Sequence, residues 1–162
     1  MLNTLLIAYQ NEKGTKALLP SLRELPEIIE IITKRFETIK LSIGVRRHIL
    51  ELELERIKFI AKEYVHTRMQ KILSDFNGDV KLLSDSETRL YSAYVDLNKQ
   101  RGIYINCQSA QYYDEYVGFC CLDNVGNILI DGVPLNMVKG DVFVASLSNI
   151  KELLIKGQVM LF

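Results

Sequence analysis

The chain is poor in the residues that most often carry chemistry. Its three cysteines, Cys107, Cys120 and Cys121, are odd in number with two adjacent, which argues against a secreted disulfide framework and favours a reducing compartment. Its two histidines, His48 and His66, fall on one expected helix but too far apart in sequence to share a metal ion, and they are expected on its surface. No stretch approaches the roughly 18 to 20 apolar residues of a membrane span. The first ten residues hold Leu5, Leu6 and Ile7 but neither the basic start nor the apolar run of a signal sequence. Charge of one sign is not in excess either, since 20 Lys plus Arg balance 20 Asp plus Glu, and this argues against nucleic-acid binding through overall charge. A soluble intracellular protein without a membrane contact is expected.

Catalytic constellations are equally scarce. Gly14-Thr15-Lys16 lacks the upstream glycine of a phosphate loop, and Gly126 and Gly132 fall in expected turns with no helix behind them. Glu51, Glu53 and Glu55 are spaced by two on a helix and so do not face one another, which makes them a solvated or ion-paired face. Cys120 and Cys121 are neighbours on an expected strand and point to opposite faces, with at least one expected in apolar packing. No catalytic residue, cofactor or metal ligand is expected.

What the chain does have is apolar content, 48% against 25% charged, enough for one ordinary domain or two small ones. Its two parts differ. Residues 1–102 carry 17 basic and 14 acidic side chains, a net of +3, while residues 103–162 carry 3 and 6, a net of −3. Apolar residues follow helical spacing in the first part and alternate between turn residues in the second. The fold class is therefore α+β, an N-terminal all-α helical bundle followed by a small β-rich domain. The expected boundaries are 1–103 helical, 104–114 linker and 115–162 β-rich.

A first helix is expected over Asn3–Lys13, ended by Gly14. A second begins at Pro26 with Glu27 and Glu30 near its positive end and Ile28, Ile32, Phe36 and Ile39 as its apolar stripe. The third runs from about Ile43 to Phe76, where Asn77-Gly78 stops it. At 1.5 Å per residue it spans roughly 50 Å, more than the diameter of about 40 Å of a compact globule of this length. Leu50, Leu54, Ile57, Ala61, Tyr64 and Ile72 form one stripe on it, while Ile49, Leu52 and Phe59 point elsewhere. A helix that overshoots its globule with a second apolar face normally buries that face against another chain. Arg46, Arg47, Arg56, Lys58, Lys62, Arg68 and Lys71 also lie along it. Most are balanced by interspersed glutamates, but Arg56 and Arg68 fall close to the apolar stripes, where a guanidinium takes a carboxylate or carbonyl partner, in an interface or an intra-bundle ion pair. Ser84 and Glu87 supply a capping box for a fourth helix ending near Arg101.

In the second part, Tyr116–Leu122 is expected as a strand paired across a turn with Ile128–Ile130. Val133–Leu135 and Val142–Ala145 follow as strands, then a helix capped by Ser148, and Val159–Phe162 as the last strand. A β-rich module of about this size is near the lower limit of independent stability, so docking onto a neighbour is expected.

The run Leu52-Glu53-Leu54-Glu55-Arg56-Ile57-Lys58-Phe59-Ile60, followed by Tyr64-Val65-His66-Thr67-Arg68-Met69-Gln70-Lys71-Ile72, resembles the Sld-five-type subunit of the GINS complex. Tyr9-Gln10-Asn11-Glu12-Lys13 with Ala17-Leu18-Leu19 is similar to its first helix, and Pro26-Glu27-Ile28-Ile29-Glu30 to its second. Asp114-Glu115-Tyr116-Val117 with Asn127-Ile128-Leu129-Ile130 resembles the opening hairpin of its carboxy-terminal domain, and Lys156 to Phe162 its terminal strand. The resemblance covers nearly the whole chain, and the shared order of the segments carries it.

That resemblance implies a helical A domain and a β-rich B domain in a non-catalytic subunit, assembled with three related subunits into a nuclear heterotetramer. The tetramer joins the minichromosome-maintenance helicase ring and a RecJ-like partner in the replicative DNA helicase, acting in initiation and elongation of DNA replication, with DNA contact at most indirect. Leu52, Glu55, Arg56, Phe59, Tyr64, Arg68 and Ile72 are expected in or beside the helical interface. Val117, Phe119, Val144, Leu161 and Phe162 are expected to form the B-domain core and contact surface, with the last strand locking the assembly. Family members often begin with a longer acidic extension that docks a replisome hub, and here the first helix begins almost at Met1, which places that contact in question. The alternatives are a stand-alone basic helical domain that binds DNA, and an archaeal-like relative forming homotetramers or two-component tetramers.

Overall fold

The computed structural model describes the backbone of Leu2 and residues 3–41, 43–74, 80–102, 115–130 and 132–162. The expected linker, with Cys107 inside it, and the Asn77-Gly78 helix stop lie outside the described residues. The fold is α+β, with helices α1 (Leu2–Lys13), α2 (Leu25–Lys40), α3 (Val45–Ser74) and α4 (Asp85–Gln100) preceding β1 (Tyr116–Cys121), β2 (Gly126–Ile130), β3 (Val133–Met137), β4 (Val142–Ser146), α5 (Leu147–Ile155) and β5 (Val159–Leu161).

Local chemistry sets the helix starts. Pro26 sits in the first turn of α2, where its missing N–H leaves no helical bond unmade. At α4 the Glu87 N–H donates to Ser84 Oγ (3.4 Å) while the Ser84 N–H donates to Glu87 Oε2 (2.8 Å), closing the expected capping box. The 30 residues of α3 make a rod of about 45 Å. α1 and α2 pack on its middle through Leu5, Ile28, Ile57, Ala61 and Tyr64. A separate small cluster, Ile72 with Leu83, forms near its C-terminal end, with Tyr91 of α4 packed against it. The helical core is thus two clusters strung along α3, and among the described residues α4 contributes no fully buried side chain. Phe36 departs from its expected place in the α2 stripe. It is exposed, with the ammonium groups of Lys40 and Lys58 at 4.7 and 4.8 Å from its ring centre.

The β-rich region corrects an expected pairing. β1 does not pair with β2; it lies between β4 and β5, antiparallel to both, while β2 and β3 form their own hairpin. The segment after β1 does not turn back on it. Instead Val125 N–H donates to the Met137 carbonyl and Asn124 Oδ1 accepts from Lys139 N–H, which extends the β2–β3 ladder. α5 also starts earlier than expected, with Ser146 at its cap position. Ser146 Oγ lies 2.7 Å from Ser148 Oγ, so the two hydroxyls bond each other, and the Ser146 side chain does not cap the helix backbone. Val117, Phe119 and Cys121 of β1 point inward onto Met137, Leu147, Ile150, Val159 and Leu161, while half-buried Cys120 points to the other face.

The two regions are joined by a polar seam. Asn11 Oδ1 accepts from the Leu161 N–H (2.8 Å), closing a donor on the outer side of β5 that would otherwise be left unpaired. Glu115 Oε2 accepts from Thr15 Oγ1 and from the Lys16 N–H, each at 3.1 Å, and Ala17 packs against the β-region core. A β-carbon at Gly14 would stand 2.8 Å from Leu161 Cβ, so glycine is what lets the chain approach there. The last strand therefore makes its contact within its own chain, against α1.

Candidate functional site

The long helix has two faces of different chemistry. On the inner one, Tyr64, Arg68 and Ile72 recur every four residues and are buried by α1, the loop after it and the start of α4. Arg68 is fully buried, and all five of its N–H donors are used. Nε and one terminal nitrogen fork onto Glu87 (2.7 and 3.1 Å), and that terminal nitrogen also donates to the Leu82 carbonyl (2.9 Å). The other terminal nitrogen reaches Glu12 Oε2 (3.0 Å) and the Leu19 carbonyl (2.6 Å). Lys71 completes the network, donating to Glu12 Oε1 (2.8 Å), to the Ala17 carbonyl (2.9 Å) and to the Glu12 carbonyl. No buried side-chain nitrogen or oxygen among the described residues lacks a partner.

The electrostatics follow from this saturation. Burial by itself would lower the Arg68 pKa, but the Glu87 bonds and the Glu12 charge outweigh it and raise it. Burial likewise works to raise Glu87, yet the Arg68 fork and the Ser84 N–H hold its carboxyl below the usual range. For Lys71 burial wins, and its pKa is lowered in spite of Glu12. Tyr64 is pushed up by burial, and its hydroxyl accepts from the Leu22 N–H (3.0 Å). Within the network Arg68 and Glu12 are sealed from solvent, while Lys71 and Glu87 keep a small exposed part. What the network can do is pin the 12–19 loop, and through Asn11 and Thr15 the β-rich region, to α3.

On its outer flank α3 is apolar and uncovered. Leu52 and Phe59 are 62% and 60% exposed, and Val45 and Ile49 are exposed beside them. Leu41 and Ile43, in the α2–α3 turn, continue the surface. Next to this flank an open groove of about 540 Å³ runs between α1, α2 and α3, floored by Leu6, Ile31 and Ile60 and edged by Arg35, Glu53 and Arg56. The sheet carries a second such surface, where Val144 and Phe162, 69% and 68% exposed, flank Gly118 on the face turned away from the β core. Gly118 permits this, because a β-carbon there would meet the Phe162 ring at 2.8 Å.

The expected interface residues therefore separate. Leu52, Glu55, Arg56 and Phe59 lie exposed on α3. Tyr64, Arg68 and Ile72 are buried within their own chain, because the loop after α1 and the start of α4 fold over that end of α3. Val117, Phe119 and Leu161 are in the β core, whereas Val144 and Phe162 are outside it. His48 and His66 are exposed, as expected. Sequence reasoning named Arg68 for an ion pair but missed Glu12 and Lys71. The available signal was Arg68 itself, on the buried stripe four residues after Tyr64 and four before Ile72. Of its partners, Glu87 was visible only as the capping-box residue, and Glu12 left no trace, because it lies 56 residues away in sequence.

Among the described residues there is no group of three or more His, Cys, Asp or Glu side chains placed to hold a metal ion, and no helix is long and apolar enough to cross a membrane. No protein-family model matches the chain, and no curated protein shows significant similarity to it.

Proposed function

We propose that this chain is a non-catalytic scaffold subunit of a GINS-type heterotetramer, acting in the nucleus within the replicative DNA helicase. The observation that carries it is α3, a rod whose inner face is closed by the chain itself while Ile49, Leu52 and Phe59 stay open to solvent. Burial of exposed apolar area is favourable by about 25 cal/mol per Å², so an ordered apolar flank of this length favours association. Related subunits supply the covering helices, and the minichromosome-maintenance ring and the RecJ-like partner join through the complex. The shared order of the segments that resemble the Sld-five-type subunit supports the same assignment.

The test is co-expression with three related GINS-type subunits and measurement of the mass of the purified species. A four-chain particle is expected, and the double substitution Leu52→Asp with Phe59→Asp is expected to leave this chain out of it. A chain that stays monomeric beside those subunits, yet binds duplex DNA with steep salt dependence, would instead identify a DNA-binding domain.

A further inference from the structure

The exposed residues on the outer flank of α3 have a spacing of their own. Val45, Ile49, Leu52, Arg56 and Phe59 follow one another at intervals of 4, 3, 4 and 3, the seven-residue repeat of a two-helix seam, and all five are exposed. The seam is about 21 Å long. It stops where the next positions become Glu63 and His66. Four of its members are apolar, and Arg56 stands among them as the one charge.

Arg56 shares its lack of an ion pair with Arg46 and Lys62, but among the basic residues of α3 it is the one that stands in the seam. Arg47 pairs with Glu51 at 2.8 Å, Lys58 sits over the Phe36 ring, and Arg68 is saturated inside the chain. Arg56 has no hydrogen bond or ion pair among the described residues. Its acidic neighbours Glu53 and Glu55 flank the seam rather than lie in it. Covering the seam with an apolar helix would leave a guanidinium desolvated and unpaired, a strongly unfavourable arrangement. An occupant that supplies a carboxylate at that level removes the penalty and fixes the register, as one polar residue does in a heptad seam.

We propose that this flank is one half of a heterotypic two-helix seam, and that its occupant is a partner-chain helix with an apolar heptad face and a Glu or Asp opposite Arg56. The inference rests on the scaffold-subunit reading for the presence of a partner chain and adds the chemistry by which that partner is selected. A second copy of this chain fits less well. Parallel two-fold pairing stacks Arg56 on Arg56, and antiparallel pairing sets it against an apolar member of the seam.

The test uses the full chain and three synthetic helical peptides of three heptads, identical except for Glu, Leu or Lys at the central seam position. Binding is followed by fluorescence anisotropy. The wild-type chain is expected to bind the Glu peptide at least tenfold more tightly than the Lys peptide. Arg56→Glu should reverse that order, Arg56→Lys should keep it, and Phe59→Asp should weaken all three. Because the substituted residues are exposed, circular dichroism should show each variant as helical as the parent. Equal binding of the Glu and Lys peptides, or no binding of any, would overturn the proposal. So would a chain that dimerises alone and loses this on Phe59→Asp, since the occupant would then be a second copy. An assembled tetramer with no Glu-over-Lys preference sinks only this inference, while a clear preference without tetramer assembly sinks only the scaffold assignment.

Discussion

The β-rich region and the helical region solve the same burial problem in opposite ways. Five short strands and α5 close one apolar core, in which Phe119, Met137, Ile150 and Val159 are fully buried. The helical region is about twice as long, yet it divides its apolar interior into two smaller clusters and places Arg68, Glu12 and Lys71 between α1, α3 and α4. A small antiparallel sheet with a helix across it can cover its own inward side chains. α1 and α2 pack together on the middle of the α3 rod of about 45 Å and α4 near its C-terminal end, which leaves its outer flank uncovered. The difference teaches where self-sufficiency ends. The β-rich region closes an apolar interior and leaves Val144 and Phe162 open on the outer face of its sheet, whereas the helical region holds together with charge at one end and offers apolar surface at the other.

The sharpest way to break that comparison is Arg68→Leu. It removes five donors at once and leaves the carboxylates of Glu12 and Glu87 facing each other in a buried site. Breaking a buried ion pair from one side typically costs about 3–5 kcal/mol. Urea unfolding should show a loss of that order. A loss below about 1 kcal/mol would mean that the charges are incidental and that the apolar clusters alone hold the helices.

A smaller effect tests whether the two regions are one unit. Asn11→Ala removes the acceptor for the Leu161 N–H and leaves that buried donor unpaired, at a cost of about 1–3 kcal/mol. Hydrogen exchange should speed up first at Leu161 and at neighbouring β5 amides, with the interior of α3 little changed. Uniform loss of protection across α3 would show instead that Asn11 supports α1 itself rather than the contact with the sheet.

The elements of both regions were legible in the sequence, because helical and alternating periodicities and the Ser84–Glu87 box are local patterns. The two-faced character of α3 was legible for the same reason, and Leu52 and Phe59 stand where the stripe arithmetic put them. What joins distant segments was not. β1 looked like the first strand of a hairpin because the turn residues after it are typical, but turn chemistry says only that the chain bends, not which strand it meets. β1 is instead bracketed by β4 and β5, whose pairing with it is non-local. In the same way Arg68 announced that it needed a carboxylate, and nothing near it in sequence revealed that Glu12 supplies one. The sequence left Arg68 open between an interface pair and a pair within the bundle, and the fold places its carboxylates within the chain.

The finest test asks whether the buried charges act as charges, and pH reads it. The Glu87 carboxyl has a lower pKa in the folded chain than in the unfolded one, chiefly through Arg68 working against burial. At pH values between the two, the unfolded state binds the proton and the folded state does not, so stability rises with pH there. The stabilisation is complete above the ordinary glutamate range and is lost as pH falls through the folded value. Glu87→Gln should flatten this acid limb of the stability curve relative to the parent, with the Ser84 cap kept by the amide oxygen. The alkaline side is less diagnostic. The lowered Lys71 pKa makes stability rise with pH as the unfolded lysine approaches its own titration, while the raised Tyr64 pKa makes it fall, so the two oppose each other. An acid limb as steep in Glu87→Gln as in the parent would place the titrating groups elsewhere and leave Arg68 acting as a saturated hydrogen-bond donor rather than as a partner charge.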